Sequence, residues 1–491
     1  MGITNGRSRQ RRVAVGAGLC AAAGVLVALM PGAHAQRPAV TGSSPALHRL
    51  YSVPLPSVAD GVPAYLPRVA TSQGVRNMLF LTTRDGRVLA IDARSGSKLW
   101  QRQYGPGSCR INRGNTPCYT TSSPAIDPNG RYIYSYGLDG AVHRLNVGDG
   151  TEVRGGGWPE TATLKGYDEK GSAALSIATA RDGTSYLYVA NGGYPGDRGD
   201  YQGHLTTINL TTGAQHVFNA ACSNQSVHFA EYPAKPDCTH VKTAIWARPG
   251  AVYDPGTDRT YISTGNGDFN PAGHAWGESI LALHPDGMGA NGDPLDSYTP
   301  TNYGNLNDRD ADLGSSEPVI LPMPKGSRYQ HVALQAGKDA FLRLVNLDNL
   351  SGKGKIGQTG GQIGRLIPVP QGGPVLTQPA IWVDPRDQSV WAFVSDALGT
   401  SALRLTIDHG TPRMVAVWKR GYGGSSPIVV NGVLYYAGTS NIWALDPRTG
   451  AVRGRDTSIG YIHWQSPLVA GGKVFIADSS AHLSAFVAPG R

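Results

Sequence analysis

The chain has 491 residues, a formal charge of +9, only 16% charged residues and 65 glycines. Glycine at about twice its usual share, charge well below the usual quarter and the lack of long 3.6-residue periodicity exclude a helical bundle and a coiled coil and point to an all-β protein. No Lys/Arg run is interleaved with aromatics, so the footprint of a nucleic-acid binder is missing.

In chain order, residues 1–35 read as an export signal. Arg7, Arg9, Arg11 and Arg12 make a basic start, residues 13–30 an apolar stretch, and Ala33-His34-Ala35 a small-residue cleavage site. Arg11-Arg12 leaves both the general and the twin-arginine route open. Cleavage after Ala35 removes four arginines and no acid, so the charge becomes +9 − 4 = +5. Cys20 lies in a poor lipobox and no second long apolar run follows, which implies a chain released or loosely held outside the cell membrane, expected as a monomer. Residues 36–46 read as a flexible leader and 47–491 as one domain.

The domain repeats itself. Residues 78–82, 88–92 and 95–100 give strand, Asp85-Gly86 turn, strand, Asp-to-Gly turn, strand. Copies recur from Pro124, Leu175, Gly250, Pro318, Pro379, Pro427 and Pro467, about eight in all. Eight such units predict an eight-bladed β-propeller of four-stranded antiparallel blades. The last copy stops after its third strand at Phe486, so residues 47–55 are expected to supply the fourth, closing the ring with strands from both termini and covering an open edge.

In such blades the loops joining strands two and three, and those joining one blade to the next, leave from one face. The long insertions 105–122, 156–171, 219–242, 298–315 and 354–377 read as blade-to-blade loops, and 192–203 and 265–277 as loops between second and third strands. All fall on one face, which becomes the expected functional face. The four cysteines beyond the signal pair most simply as Cys109 with Cys118 and Cys222 with Cys238. No HExxH, Walker, CxxCH or GxSxG motif is present. Asp308, Asp310 and Asp312 form a DxDxD run, but Gly314 comes one place late for an EF-hand and Val319 stands where its Glu should be.

The units DGRVLAIDARSGSKLW and NIWALDPRTGAV resemble the repeats of pyrroloquinoline quinone (PQQ) propellers, shared by quinoprotein alcohol dehydrogenases and by BamB-like scaffolds. Ala244-Ile245-Trp246 and Thr264-Gly265-Asn266-Gly267 resemble the dehydrogenase segment whose Trp floors the quinone and whose Asn ligates Ca²⁺. Gly337-Lys338-Asp339 resembles the segment whose Lys meets the quinone oxygens, Asp308, Asp310 and Asp312 lie where the catalytic Asp is found, and Asn191-Gly192-Gly193 resembles the loop that brings an acidic metal ligand. No Glu follows Gly193, which leaves Asp197 or Asp200 for that place, and the vicinal cysteine pair and a fused cytochrome are missing.

The resemblance thus implies a PQQ- and Ca²⁺-dependent dehydrogenase acting on an alcohol or sugar-like substrate with an external electron acceptor. The alternative is a scaffold without cofactor that binds a protein, peptide or glycan through Tyr194, Tyr201, Phe269, Trp276 and Tyr303. Lys338 and Asn266 are expected on exposed loops, where truncation to alanine costs the apoprotein no more than about 1 kcal/mol.

Overall fold

The structure is a computed structural model describing residues 47–106 and 109–489. The signal, its cleavage site and the leader assigned to residues 1–46 lie outside the described residues.

The repeat has a physical basis in its turns. Asp92 Oδ1 accepts the N–H groups of Arg94 and Ser95 at 2.7 and 3.1 Å, and Gly96, at φ +78°, donates to the Asp92 carbonyl at 2.8 Å. Asp446 does the same for Arg448 and Thr449, with Gly450 closing the turn. Such a glycine also admits a neighbour. A Cβ on Gly150 would lie 2.6 Å from the Trp100 ring, and one on Gly450 2.9 Å from the Trp418 ring. Each tryptophan packs on the turn of the next blade and donates its indole N–H there, Trp100 to Val147 and Trp418 to Pro447, both at 2.9 Å.

Eight antiparallel blades result. Blade 1 is Ala64–Thr71, Gly74–Thr82, Arg87–Asp92 and Lys98–Gln103; blade 2 is Ala125–Ile126, Tyr132–Tyr136, Ala141–Asn146 and Glu160–Thr161. Blade 3 is Ser176–Thr179, Ser185–Gly193, His204–Asn209 and Gln215–Asn219, with Glu169–Gly171 pairing on the far end of its second strand. Blade 4 is Val252–Asp254, Arg259–Ser263, Ile280–Leu283 and Asp296–Tyr298; blade 5 is Val319–Leu321, Val332–Ala336, Phe341–Asn346 and Gln362–Pro368. Blade 6 runs from Ala380–Val383 to Thr411–Arg420, and blade 7 from Ile428–Val430 to Val452–Asp456. Blade 8 joins Leu468–Ala470, Lys473–Ala477 and His482–Val487 to Arg49–Pro54, paired from Arg49 opposite Phe486 to Pro54 opposite His482 with a register shift between Arg49 and Tyr51. The expected closure by both ends of the domain is found.

The core is divided among the wedges between adjacent blades. Met78, Phe80 and Trp100 of blade 1 meet Ile133 and Leu145 of blade 2; Leu79, Leu81 and Leu89 of blade 1 meet Phe475, Leu483 and Ala485 of blade 8. Each remaining neighbouring pair has its own cluster. Burial is therefore circular, each sheet using both faces.

Two of the expected loops contain strands that belong to the blades. Residues 354–377 hold the fourth strand of blade 5, and 156–171 hold the short fourth strand of blade 2 together with Glu169–Gly171. Their glycines and few β-branched residues hid these strands. The helix Tyr303–Asp308 and the hairpin of Phe269–Asn270 with Ala275–Trp276 lie within other insertions. Both expected disulfides form. No helix among the described residues is long and apolar enough to cross a membrane.

Candidate functional site

Four of the long loops and one hairpin converge on a cavity of about 340 Å³. Asp197 arrives on the loop between the second and third strands of blade 3, and Trp246 on the connection from blade 3 to blade 4. Asn266 comes from the equivalent loop of blade 4, Asp310 and Asp312 from the connection to blade 5, and Lys338 from the turn between the second and third strands of blade 5. Small residues let these segments touch. A Cβ on Gly314 would lie 2.4 Å from the Thr264 carbonyl carbon, and one on Gly265 would lie 3.1 Å from Trp246 Nε1 and 3.2 Å from Asp312 Cγ.

Lys338 ties the acidic side together. Its Nζ lies 2.6 Å from Asp312 Oδ2 and 2.9 Å from Asp310 Oδ1, and 5.2 Å from the Trp246 ring centroid. The Asp312 carbonyl also accepts the Lys338 backbone N–H at 3.1 Å. Asp312 is 4% exposed, and burial pushes its carboxyl above the ordinary value against the pull of Lys338. Burial acts on Lys338 in the downward direction, but Asp312 and then Asp310 outweigh it and raise the ammonium. Lys338 thus stays charged beside a carboxylate that is short of water.

Asn266 joins the other two acids. Its Nδ2 donates to Asp197 Oδ2 and to Asp310 Oδ1, each at 3.0 Å, and its backbone N–H donates to Asp312 Oδ1 at 3.2 Å. Asn266 Oδ1 is buried without a hydrogen-bond partner. Asp197, at φ +49°, is itself oriented by the Tyr201 hydroxyl at 2.7 Å. Buried Glu278 lies behind Asp312: its Oε2 accepts the Leu313 N–H at 2.7 Å, and burial, with Asp312 second, pushes its carboxyl up to about 8.

The structure thus gathers Trp246, Asn266, Lys338, Asp197, Asp310 and Asp312. It does not gather Asp308 or Asp200. Asp308 ends the helix Tyr303–Asp308, exposed and away from the cavity lining. Asp200 is taken by the Lys165 ammonium at 2.9 Å and the Gln202 amide at 2.9 Å, which correct its placement as a ligand beside Asn266. Among the described residues no three His, Cys, Asp or Glu side chains form a metal cluster by themselves. Neither Lys338 nor Asn266 is an exposed loop residue: the Lys338 side chain is 19% exposed and Asn266 7%. Of the aromatics expected as contact residues, Tyr194 lines the cavity, Tyr201 and Trp276 are buried, and Phe269 and Tyr303 are half-buried.

Sequence reasoning missed the other wall. Lys170, Arg248, His463 and Trp464 line the cavity, with the Trp464 ring 6.0 Å from that of Trp246 at 60°. Arg248 carried a signal, lying two places beyond Trp246.

A family model described as outer membrane protein assembly factor BamB matches residues 67–190. A curated relative, the dehydrogenase subunit of the quinone alcohol dehydrogenase of Gluconobacter oxydans (strain 621H), is 24% identical over an alignment of 312 residues that covers 55% of this chain and 37% of that protein. The chain therefore matches little more than a third of that relative's length. Two solved structures share the fold. A quinohemoprotein alcohol dehydrogenase of Pseudomonas putida HK5 matches at TM-score 0.58 and 14% identity, covering 91% of this chain and 76% of the other. A europium-containing methanol dehydrogenase matches at TM-score 0.57 and 15% identity, covering 90% and 93%. The chain is an eight-bladed β-propeller, similar over residues 67–190 to the BamB family model, over part of its length to a quinone alcohol dehydrogenase subunit, and in fold to quinohemoprotein and methanol dehydrogenases.

Proposed function

We propose that the protein binds PQQ together with a hard divalent cation, Ca²⁺ first among them, and oxidises an alcohol or sugar-like substrate, passing the electrons to an external acceptor. The observation that carries this reading is the convergence of Trp246, Lys338, Asp310 and Asp312 on one cavity from separate segments, with Asn266 hydrogen-bonded to both acids.

The residues fit the group. Trp246 offers an indole surface for a planar ring. Asn266 has an unpaired buried oxygen and an amide placed between two carboxylates. Turning that amide by half a rotation would set its oxygen against Asp197 and Asp310, which is unfavourable in an empty site and favourable around a cation that takes oxygen ligands. Asp197 is the proposed acidic ligand in place of Asp200.

The bound quinone would supply a two-electron acceptor. The chain supplies the rest. Asp312 is the proposed base for the substrate hydroxyl proton, because its carboxylate is buried, raised and held in place by Asn266 N–H and Lys338. Lys338 keeps a positive charge beside it, and Asp310, with its side chain 71% exposed, stays open to solvent. Two disulfides suit the oxidising compartment that an export signal implies.

Calorimetry and absorbance with PQQ and Ca²⁺ test the reading. Saturable binding that EDTA reverses, and that Lys338→Ala and Asn266→Ala remove, is the expected result. No binding to the wild-type protein at micromolar quinone would overturn it.

A further inference from the structure

Opposite the acidic wall, the cavity has two cations without a counter-charge. Lys170 is 7% exposed and Arg248 is half-buried, and both line the cavity with Trp246 and Trp464. Among the described residues neither has a carboxylate oxygen within 4.0 Å, and residues 1–46, 107–108 and 490–491 contain no Asp or Glu. Arg248 donates to the carbonyls of Ser172 and Thr121, both at 2.7 Å, which fixes the guanidinium without neutralising it. Lys170 Nζ stands 5.1 Å from the Tyr119 ring centroid. The acid whose charge acts on both is Asp60, which is already shared by Arg84 and His463, each at 3.6 Å, and by the Gln465 amide at 2.9 Å.

Unpaired cations withdrawn from water are costly, and here the cost shows. Burial, followed by the Arg248 charge, pulls Lys170 down to about 7, and burial pulls Arg248 down to about 10. Clefts that keep such groups are arranged for a charge brought from outside. We infer that Lys170 and Arg248 form an anion subsite that seats a carboxylate of the molecule occupying the Trp246 cavity. This rests on the reading of that cavity as a ligand site, and it says which end of the ligand lies where: the carboxylate toward blade 3, the reacting end toward Asn266 and Lys338. The carboxylate has two sources, the acid groups of PQQ itself or those of a separate carboxylated substrate.

Binding of four probes to the full-length protein decides. The probes are PQQ, its trimethyl ester, benzene-1,3,5-tricarboxylate and glycolate, measured by calorimetry on the wild type, Lys170→Met and Arg248→Met, each first checked for folding by its melting curve. If the cofactor is the source, the variants lose PQQ affinity by at least about tenfold, and the ester binds the wild type as weakly as PQQ binds Lys170→Met. If a substrate is the source, PQQ binding is unchanged, and glycolate added to the PQQ-loaded protein binds the wild type but not the variants.

Proton uptake gives a second readout. Charging a lysine that titrates near 7 takes up about 0.9 proton per carboxylate bound at pH 8 and about 0.1 at pH 6, seen by repeating the calorimetry in buffers of different ionisation enthalpy. Lys170→Met abolishes this uptake. Should PQQ fail to bind while the tricarboxylate binds in a Lys170-dependent way, the subsite stands and the quinone reading falls. Wild-type affinities for PQQ, the tricarboxylate and glycolate in a folded Lys170→Met protein would overturn the inference and leave the quinone reading intact.

Discussion

Replacing Lys338 by methionine isolates the ion pair on which the site is built. The contact to Asp310 contributes little, because that carboxylate is 71% exposed and such pairs give about 0–1 kcal/mol. Asp312 is different: its side chain is 6% exposed and its Oδ2 lies 2.6 Å from the ammonium. Leaving a buried charge without its partner costs about 3–5 kcal/mol at neutral pH. Protonation of Asp312 limits that loss, because burial already raises its carboxyl. Urea unfolding of wild type, Lys338→Met, Asp312→Asn and the double variant, in EDTA at pH 7, measures the pair. Lys338→Met is expected to lose about 3 kcal/mol and the cycle to show coupling of about 2 kcal/mol. The pH course supplies the sign. Lys338 is raised in the folded state, so its contribution is complete below the ordinary lysine value and disappears as pH rises through the folded one. The gap between wild type and Lys338→Met therefore closes at alkaline pH, and it also narrows in acid, where Asp312 is neutral. Coupling below about 0.5 kcal/mol at pH 7 would refute the reasoning, since neighbours that interact exceed that value.

Glu278 titrates in the folded protein at about 8, so its stability contribution is complete below the ordinary carboxyl range and is lost as pH rises through 8; Glu278→Gln should flatten the stability profile between pH 5 and 9 and melt above wild type at pH 9. Parallel profiles for the two proteins would contradict this. Opening the Cys222–Cys238 loop, a separation of 16 residues, with Cys222→Ser plus Cys238→Ser should cost about 3 kcal/mol in denaturant unfolding. Gly203 carries the Asp197 loop past the Trp246 segment, and a Cβ there would lie 1.8 Å from the Thr243 carbonyl oxygen. Gly203→Ala should lose about 1–3 kcal/mol and weaken PQQ binding, and an unchanged melting curve would show that the loop yields freely.

The fold was legible because the turn chemistry repeats: an Asp or Asn at a strand end, a glycine four places on, and a tryptophan packing on the next turn. The fourth strands of blades 2 and 5 were not, because a two-residue strand and one interrupted at Gly364 have no alternating pattern to read. In the site, the face rule found Trp246, Asn266, Lys338 and the Asp310–Asp312 pair. It could not choose between Asp197 and Asp200, because that choice depends on Lys165, a distant side chain whose burial beside Gln202 has no local signature. Lys170 escaped for the same reason. A lysine ahead of a glycine reads as solvated surface until the wall behind it is seen.

The seam in blade 8 gives the chain a direction in time. Ser52 and Ser484 meet at 3.0 Å across 432 residues, so the first strand of the domain to be synthesised is among the last to find its partner. Bringing together ends that far apart costs about 5 kcal/mol of chain entropy, repaid only when the eighth sheet zips and the wedges on either side of it fill. Without residues 482–487, Arg49–Pro54 and Lys473–Ala477 each lose the strand they pair with, leaving two bare sheet edges in place of a closed blade. The ring therefore shuts only once residues 482–487 are in place.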